Sequence, residues 1–97
     1  MATIQIVKFR LAPGTDLVAF RALNERFQRE IVPTLAGLER REATVSPEGE
    51  WMLVLRYSNA DVAKKAGRLD TSEVAQNFMT MIDMKSMSAS FHDIVSQ

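Results

Sequence analysis

The stretch Trp-Met-Leu-Val-Leu-Arg-Tyr at positions 51–57 decides the fold of this 97-residue chain. Aromatic, aliphatic and β-branched side chains dominate it, and that composition predicts a central β-strand. It follows Ser-Pro-Glu-Gly-Glu at 46–50, where proline and glycine supply the dihedral angles of a hairpin turn. Residues 38–46 therefore predict the partner strand, and because they are less apolar we expect that strand at an edge of the sheet.

Towards the N-terminus the pattern is that of a strand followed by a helix. Residues 3–11 are rich in β-branched and aromatic types and predict the first strand. Apolar residues at spacings of three and four then predict one helical stripe, which comprises Phe20, Leu23, Phe27 and Ile31. Thr15 or Asp16 suits the N-cap of this helix. We expect Pro33 to break or kink the helix and Gly37 to end it.

The second half of the chain predicts a divided helical region and a closing strand. Ser58 and Asp61 have the spacing of a capping box at its start. Asp-Thr-Ser-Glu at 70–73 marks a second helix start, so we expect a break near Gly67–Leu69. The part after the break carries an apolar stripe, which comprises Val74, Phe78 and Ile82. Residues 87–95 predict the last strand.

The predicted order is thus strand, helix, strand, strand, helix, strand. We expect one domain over residues 1–97, because two domains would have cores too small to be stable. A βαββαβ chain of this kind is typical of the ferredoxin-like α+β fold, a four-stranded antiparallel sheet with its helices on one face.

The sheet is expected to have a second, partly apolar face. Side chains alternate along a strand, so one set lies under the helices and the other faces away from them. The outward set mixes apolar and chargeable side chains and predicts a homodimer interface between two sheets packed face to face. Its predicted members are Ile4, Ile6, Arg10, Met52, Val54, Arg56 and His92. We expect carboxylates such as Glu42 to pair with the two arginines.

Composition excludes several classes of partner. Twelve basic side chains balance twelve acidic ones, so nothing favours nucleic acid or an anionic membrane as a partner. The predicted outward face also lacks the aromatic residues on which bases stack. The chain has no cysteine, which excludes disulfides and thiolate chemistry. Without a charged secretory start or an apolar run of about 20 residues, we expect a cytoplasmic protein.

Five segments carry a resemblance to a known family: residues 6–11, 13–14, 49–51, 54–60 and 81–83. With them the chain resembles the dimeric α/β-barrel superfamily, and within it the antibiotic-biosynthesis-monooxygenase-like proteins. The resemblance implies a dimeric barrel of two packed sheets and a ligand between sheet and helices. It also implies one of several activities: cofactor-independent quinone-forming monooxygenation, haem degradation, or isomerisation or decarboxylation of small aromatic or polyketide compounds.

For the haem-degrading branch of that superfamily, the resemblance implies a constellation of Asn, Trp and His. This chain does not match it. Tyr57 stands where the branch would carry Trp, and residues 60–82 contain no His. The first strand has Gln5 as the only substitute for Asn. We therefore expect no haem and, more generally, no cofactor.

Two other features have a structural interpretation rather than a catalytic one. His92 is the only histidine, and strand alternation places it on the dimer face rather than in a site. A methionine cluster, comprising Met79, Met81, Met84 and Met87, lacks a neighbouring Cys or His and is expected to be packing rather than a copper site. We predict no metal.

One pocket is predicted between sheet and helices. Its predicted lining is aromatic and comprises Phe9, Phe27, Tyr57, Phe78 and Phe91. Tyr57 and Gln5 are the candidate catalytic groups. The leading hypothesis is a monooxygenase-like protein that binds a small aromatic or quinone-type metabolite without a cofactor. The alternatives are that these aromatics simply fill the core, and that the chain is a non-catalytic ligand-binding or stress-related module.

Overall fold

Strands and helices follow one another in the predicted order, with the second helical region divided in two. The computed structural model describes residues 1–69 and 72–97, and residues 67–69 by their backbone alone. The elements are β1 (Thr3–Leu11), α1 (Leu17–Arg26), β2 (Leu38–Val45), β3 (Trp51–Tyr57), α2 (Ala60–Leu69), α3 (Glu73–Thr80) and β4 (Ile82–Asp93).

The four strands form one antiparallel sheet in the order β2-β3-β1-β4. This arrangement confirms the ferredoxin-like prediction, with β3 at the centre and β2 at an edge. The pairing of β1 with β4 shifts register between Lys8 and Arg10, as at a β-bulge. β3 alternates strictly between buried and half-buried residues, because the pleat turns successive side chains to opposite faces.

The first helix begins as predicted and ends earlier than predicted. Asp16 is its N-cap, accepting hydrogen bonds from the backbone N–H groups of Val18 (2.9 Å) and Ala19 (3.3 Å). Regular α-helix stops at Arg26, and a π-helical turn over Phe27–Ile31 and a 3₁₀ turn over Val32–Thr34 follow. The break thus precedes Pro33, which lies inside the 3₁₀ turn, where the missing N–H costs little.

The second helical region corrects two predicted boundaries and confirms a third. Asn59, not Ser58, caps α2, because its side chain accepts from the N–H of Val62 at 2.9 Å. α2 continues to Leu69, so it passes through the predicted break at Gly67–Leu69; residues 70 and 71 of the second start lie outside the described residues. Ser72 caps α3 by accepting from the N–H of Ala75 at 3.1 Å, which confirms a helix start there.

The last strand begins at Ile82, five residues before the predicted Met87, and ends at Asp93 rather than Val95. Ile82 is buried but belongs to this strand instead of the helical stripe of Val74 and Phe78. The reason is tertiary: Ile82 pairs with Leu11, so β4 continues its ladder with β1 beyond the register shift.

Aromatic rings fill one end of the space between sheet and helices. Phe20 of α1 contacts Trp51 edge-on, with ring centroids 4.9 Å apart, and Phe9 at 6.1 Å. Phe9 and Trp51 are partners across β1 and β3, and their rings stack at 6.3 Å. Phe78 of α3 closes this cluster against Phe20 at 5.0 Å. Such aromatic packing makes this end of the core solid.

The opposite face of the sheet has the residues predicted from strand alternation. Ile6 lies between Val54 and Ser90, and Ile4 lies next to Arg56. The apolar members of this face are half-buried within the single chain, namely Ile4, Ile6, Met52 and Val54. The described helices lie on the other side of the sheet, so the dimer interface stays a prediction with a defined surface. We call this surface the open face.

The ion pairs on the open face differ from the expectation that Glu42 binds the arginines. Arg56 Nε bonds to Glu39 at 3.2 Å, and Glu42 pairs instead with Arg40 at 3.0 Å. Arg10 donates to the carbonyl oxygen of Glu48 at 2.9 Å. The register of β2 against β3 explains why Glu42 does not pair with Arg56, because Glu42 lies opposite Val54.

Candidate functional site

A cavity of about 660 Å³ lies between the helix-facing side of the sheet and the helices α2 and α3. All six residues predicted for a pocket line it: Gln5, Phe9, Phe27, Tyr57, Phe78 and Phe91. The structure thus brings these residues together around one space. That they bind a ligand remains a prediction.

The floor of the cavity is a row of side chains across all four strands. Arg41 on β2 is the partner of Leu55 on β3, which is the partner of Gln5 on β1, which in turn pairs with Phe91 on β4. Neighbouring strands lie about 4.8 Å apart, so the row spans about 14 Å. Phe91 is 42% exposed, and the cavity therefore opens towards solvent beside β4.

Three small side chains form part of the roof of the cavity. Ala63 and Ala66 of α2 and Ala75 of α3 are buried and line it. At the other end of the sheet the corresponding space holds the ring of Phe20. The cavity exists because alanines stand where the helices would need large residues to reach the strands.

Tyr57 and Gln5 offer polar atoms to the cavity. Neither side chain has a hydrogen-bond partner among the described residues. Burial raises the pKa of Tyr57, and the nearby charge of Arg41 offsets part of that rise. The hydroxyl is therefore protonated at neutral pH and can donate a hydrogen bond to a ligand.

Arg41 is the residue that the sequence-based prediction missed. It is only 6% exposed, and its guanidinium donates to Gln28 Oε1 (2.9 Å) and Asn24 Oδ1 (2.8 Å). Its Cζ lies 4.9 Å from the ring centroid of Phe27 and 5.8 Å from that of Phe78. Burial lowers the pKa of Arg41 to about 10, which still leaves it charged at neutral pH.

A signal for Arg41 was present in the alternation of β2. Arg41 shares its parity with Ala43 and Val45, which predicts the helix-facing side for it; Leu38, the other apolar residue of β2, lies beyond the register shift. The π-helical turn then supplies its surroundings, because Phe27 and Gln28 both belong to it. Such turns occur often at functional sites.

Of the remaining predicted residues, Met79 and Met87 line the cavity, whereas His92 and the other members of the predicted dimer face do not. His92 is exposed on the open face, with its Nε2 2.8 Å from Ser90 Oγ. Met84 is exposed, whereas Met81 and Met87 pack against the core. Over residues 1–69 and 72–97, no three His, Asp or Glu side chains are grouped to hold a metal ion. No helix in these ranges has the length and hydropathy to cross a bilayer.

The fold matches solved structures closely. SnoaB, a cofactor-independent oxygenase from Streptomyces nogalater, superposes with a TM-score of 0.77 at 8% identity, covering 99% of this chain and 95% of SnoaB. A proposed antibiotic biosynthesis monooxygenase from Caulobacter crescentus CB15 gives 0.74 at 13% identity, covering 98% and 91%. A dimeric protein of unknown function with a ferredoxin-like fold, from Bacteroides fragilis NCTC 9343, gives 0.65 at 16%, covering 96% of each.

The sequence matches no protein-family model. It also matches no curated protein. The predicted resemblance to antibiotic-biosynthesis-monooxygenase-like proteins is confirmed at the level of the fold.

Proposed function

We propose that this protein is a monooxygenase-like homodimer that binds a small aromatic or quinone-type metabolite in the cavity of each subunit. The observation that carries the proposal is the cavity itself. Its volume of about 660 Å³ lies within the usual range of about 300–1,000 Å³ for small-molecule sites. Its walls are mainly apolar and aromatic, with a few polar groups that fix orientation.

The walls match a flat, largely apolar ligand. Phe27 and Phe78 lie 5.4 Å apart at a 35° tilt and present ring surface to the cavity. Aromatic ligands pack well against such rings, in offset-stacked or edge-to-face geometry. The Tyr57 hydroxyl and the Gln5 amide then form hydrogen bonds with the oxygen substituents of the ligand ring, since neither side chain has a partner among the described residues.

The proposed reaction is a cofactor-independent oxygenation, as SnoaB is described to carry out. In such a reaction a phenol and O₂ give a quinone and water. One oxygen atom enters the ring, the other leaves as water, and the substrate supplies all four electrons. The contribution of the protein is to hold the ring, exclude water and donate a hydrogen bond from Tyr57 to the substrate oxygen.

A screen of small phenols and hydroquinones for binding and oxygen consumption tests the proposal. We expect binding by calorimetry and oxygen uptake with at least one member. Tyr57→Phe should weaken binding about 3- to 10-fold, because a hydrogen bond contributes about 1 kcal/mol net. It should leave the free energy of unfolding within about 0.5 kcal/mol of wild type, since the hydroxyl has no protein partner among the described residues.

Two other outcomes have different meanings. Binding without oxygen uptake identifies the alternative, a non-catalytic ligand-binding module. Absence of binding across the whole screen contradicts the proposal.

The homodimer part of the proposal is supported by the open face. Ile4, Ile6, Met52 and Val54 form a continuous apolar strip along the two central strands, which water-exposed sheet faces seldom carry. A second copy packed face to face would bury the strip symmetrically. The Bacteroides fragilis structure is described as dimeric, and its chain has the same fold.

A further inference from the structure

Among the described residues, the two charged side chains that line the cavity are both cations. Arg41 lies in its floor, and Lys64 of α2, which is exposed, lies at its margin. No Asp or Glu of the described residues lines it. In an apolar space the field of a cation is poorly screened, so the cavity favours negative charge.

Arg41 is a buried cation that forms no salt bridge among the described residues, although the charge of Glu25 offsets part of the lowering of its pKa. The salt bridges of the described residues do not include it; its hydrogen-bond partners are the neutral amides of Asn24 and Gln28. Its Nε is buried without any partner among the described residues. Among the described residues the two amides accept from two of its five N–H donors, and no carboxylate forms an ion pair with it.

A purely structural role accounts poorly for this arrangement. Burying a charge is costly, and an apolar side chain of similar volume usually stabilises a core at least as well. The two amides and the Phe27 ring hold the guanidinium in one orientation at the cavity wall. A fixed guanidinium that lacks a carboxylate is the geometry with which proteins recognise acidic groups.

We propose that the ligand is an organic anion, an aromatic body bearing a carboxylate or an ionised phenol whose negative oxygen pairs with Arg41. The inference rests on the proposed function and specifies its ligand class. It places the acidic group at the β2 end of the floor, with the ring extending over Leu55 and Gln5 towards Phe91.

Two probes with the same ring and different charge test the inference: 2-naphthoate and 2-naphthamide. We expect the wild-type protein to bind the naphthoate at least about 10-fold more tightly by calorimetry at neutral pH, the ratio that 1.4 kcal/mol gives. Arg41→Met should abolish that preference. Arg40→Met is the matched control, because Arg40 is exposed on the neighbouring position of β2 and pairs with Glu42 outside the cavity. It should retain the preference.

A spectroscopic readout keeps the test decisive if Arg41→Met does not fold. In the wild-type protein the Arg41 Nε–H signal should shift in ¹⁵N NMR spectra with naphthoate and stay nearly unchanged with naphthamide. Equal affinity for the two probes, or a naphthoate preference that survives in folded Arg41→Met, overturns the inference and leaves the proposed function standing. Binding of neither probe, together with none in the phenol screen, overturns both.

Discussion

Filling the cavity from its roof is the most direct test of the site, because the sign of the stability change is diagnostic. Ala63 is 3% exposed and lines the cavity from α2. Ala63→Leu adds three carbon atoms, each contributing about 0.8 kcal/mol if fully buried. Because the cavity opens towards solvent beside β4, the leucine is only partly buried, and we expect the free energy of unfolding to rise by about 1–2 kcal/mol. Each kcal/mol should raise Tm by roughly 4–8 °C.

The assay pairs denaturant unfolding with calorimetric binding of 2-naphthoate at one fixed protein concentration. Ala63→Leu should bind the probe at least about 10-fold more weakly, because the added side chain occupies the space of the ring. Ala22→Leu is the matched control: Ala22 is exposed on α1, so its stability should change by less than about 0.5 kcal/mol and its binding not at all.

The refuting result is a loss of stability. If side chains already filled the space below Ala63, the leucine would overpack it and cost about 1–3 kcal/mol. Such a loss in Ala63→Leu, with Ala22→Leu unchanged, would mean that the region is solid core. The aromatic residues around it would then be packing alone, and the ligand proposal would fail.

Two further predictions concern Tyr57 and the open face. Tyr57 is the only tyrosine in the sequence, so the absorbance of tyrosinate reports its ionisation alone. The midpoint of that titration should lie above pH 10, because burial raises the pKa of Tyr57. Arg41→Met should move the midpoint higher, because it removes a nearby cation. The contribution of Tyr57 to the free energy of unfolding should fall as pH rises through 10, since the unfolded chain ionises there first; the difference between wild type and Tyr57→Phe isolates it from Arg41, whose lowered pKa acts in the opposite direction. A midpoint at 10 in the folded protein would contradict the buried site. Val54→Glu should convert a dimer to a monomer in size-exclusion chromatography with light scattering, whereas Val18→Glu, on the exposed surface of α1, should not. A wild-type monomer at micromolar concentration would refute the dimer proposal.

The sheet was predictable because the alternation of side chains along a strand can be read from the local sequence. In β3 every second residue is buried, so reading alternate positions of 51–57 separates the helix-facing side from the open face. The same reading of residues 3–11 assigned both faces of β1. Glycine, proline and capping residues marked most of the boundaries, as Asp16 and Ser72 show.

The boundary between α3 and β4 had no such marker. Residues 79–87 contain neither glycine nor proline, and their methionines suit helix and strand alike. Pairing of Ile82 with Leu11 makes the chain extended there, and that contact joins positions far apart in sequence. Local propensity cannot predict such a choice, since the partner strand makes it.

Arg41 was missed for a different reason. It adjoins Arg40 in a strand that carries both acidic and basic residues, and arginine is almost never fully buried, so a solvated edge was the ordinary interpretation. What buries it is the π-helical turn, whose Phe27 and Gln28 lie over β2. No sequence pattern predicts that α1 will change pitch at residue 27.

The contrast between the two ends of the core indicates that the cavity is a feature of this chain rather than a defect of packing. Phe20, Phe9 and Trp51 show that its helices and strands can be packed solidly where large side chains meet. At the other end Ala63 and Ala75 stand over a space that larger side chains would fill, and Arg41 lies in its wall at the cost of burying a charge. Stability alone would favour leucines in the roof and an apolar residue on β2. The proposed acidic aromatic ligand would use both features, the open space for its ring and the guanidinium, which forms no salt bridge among the described residues, for its negative oxygen.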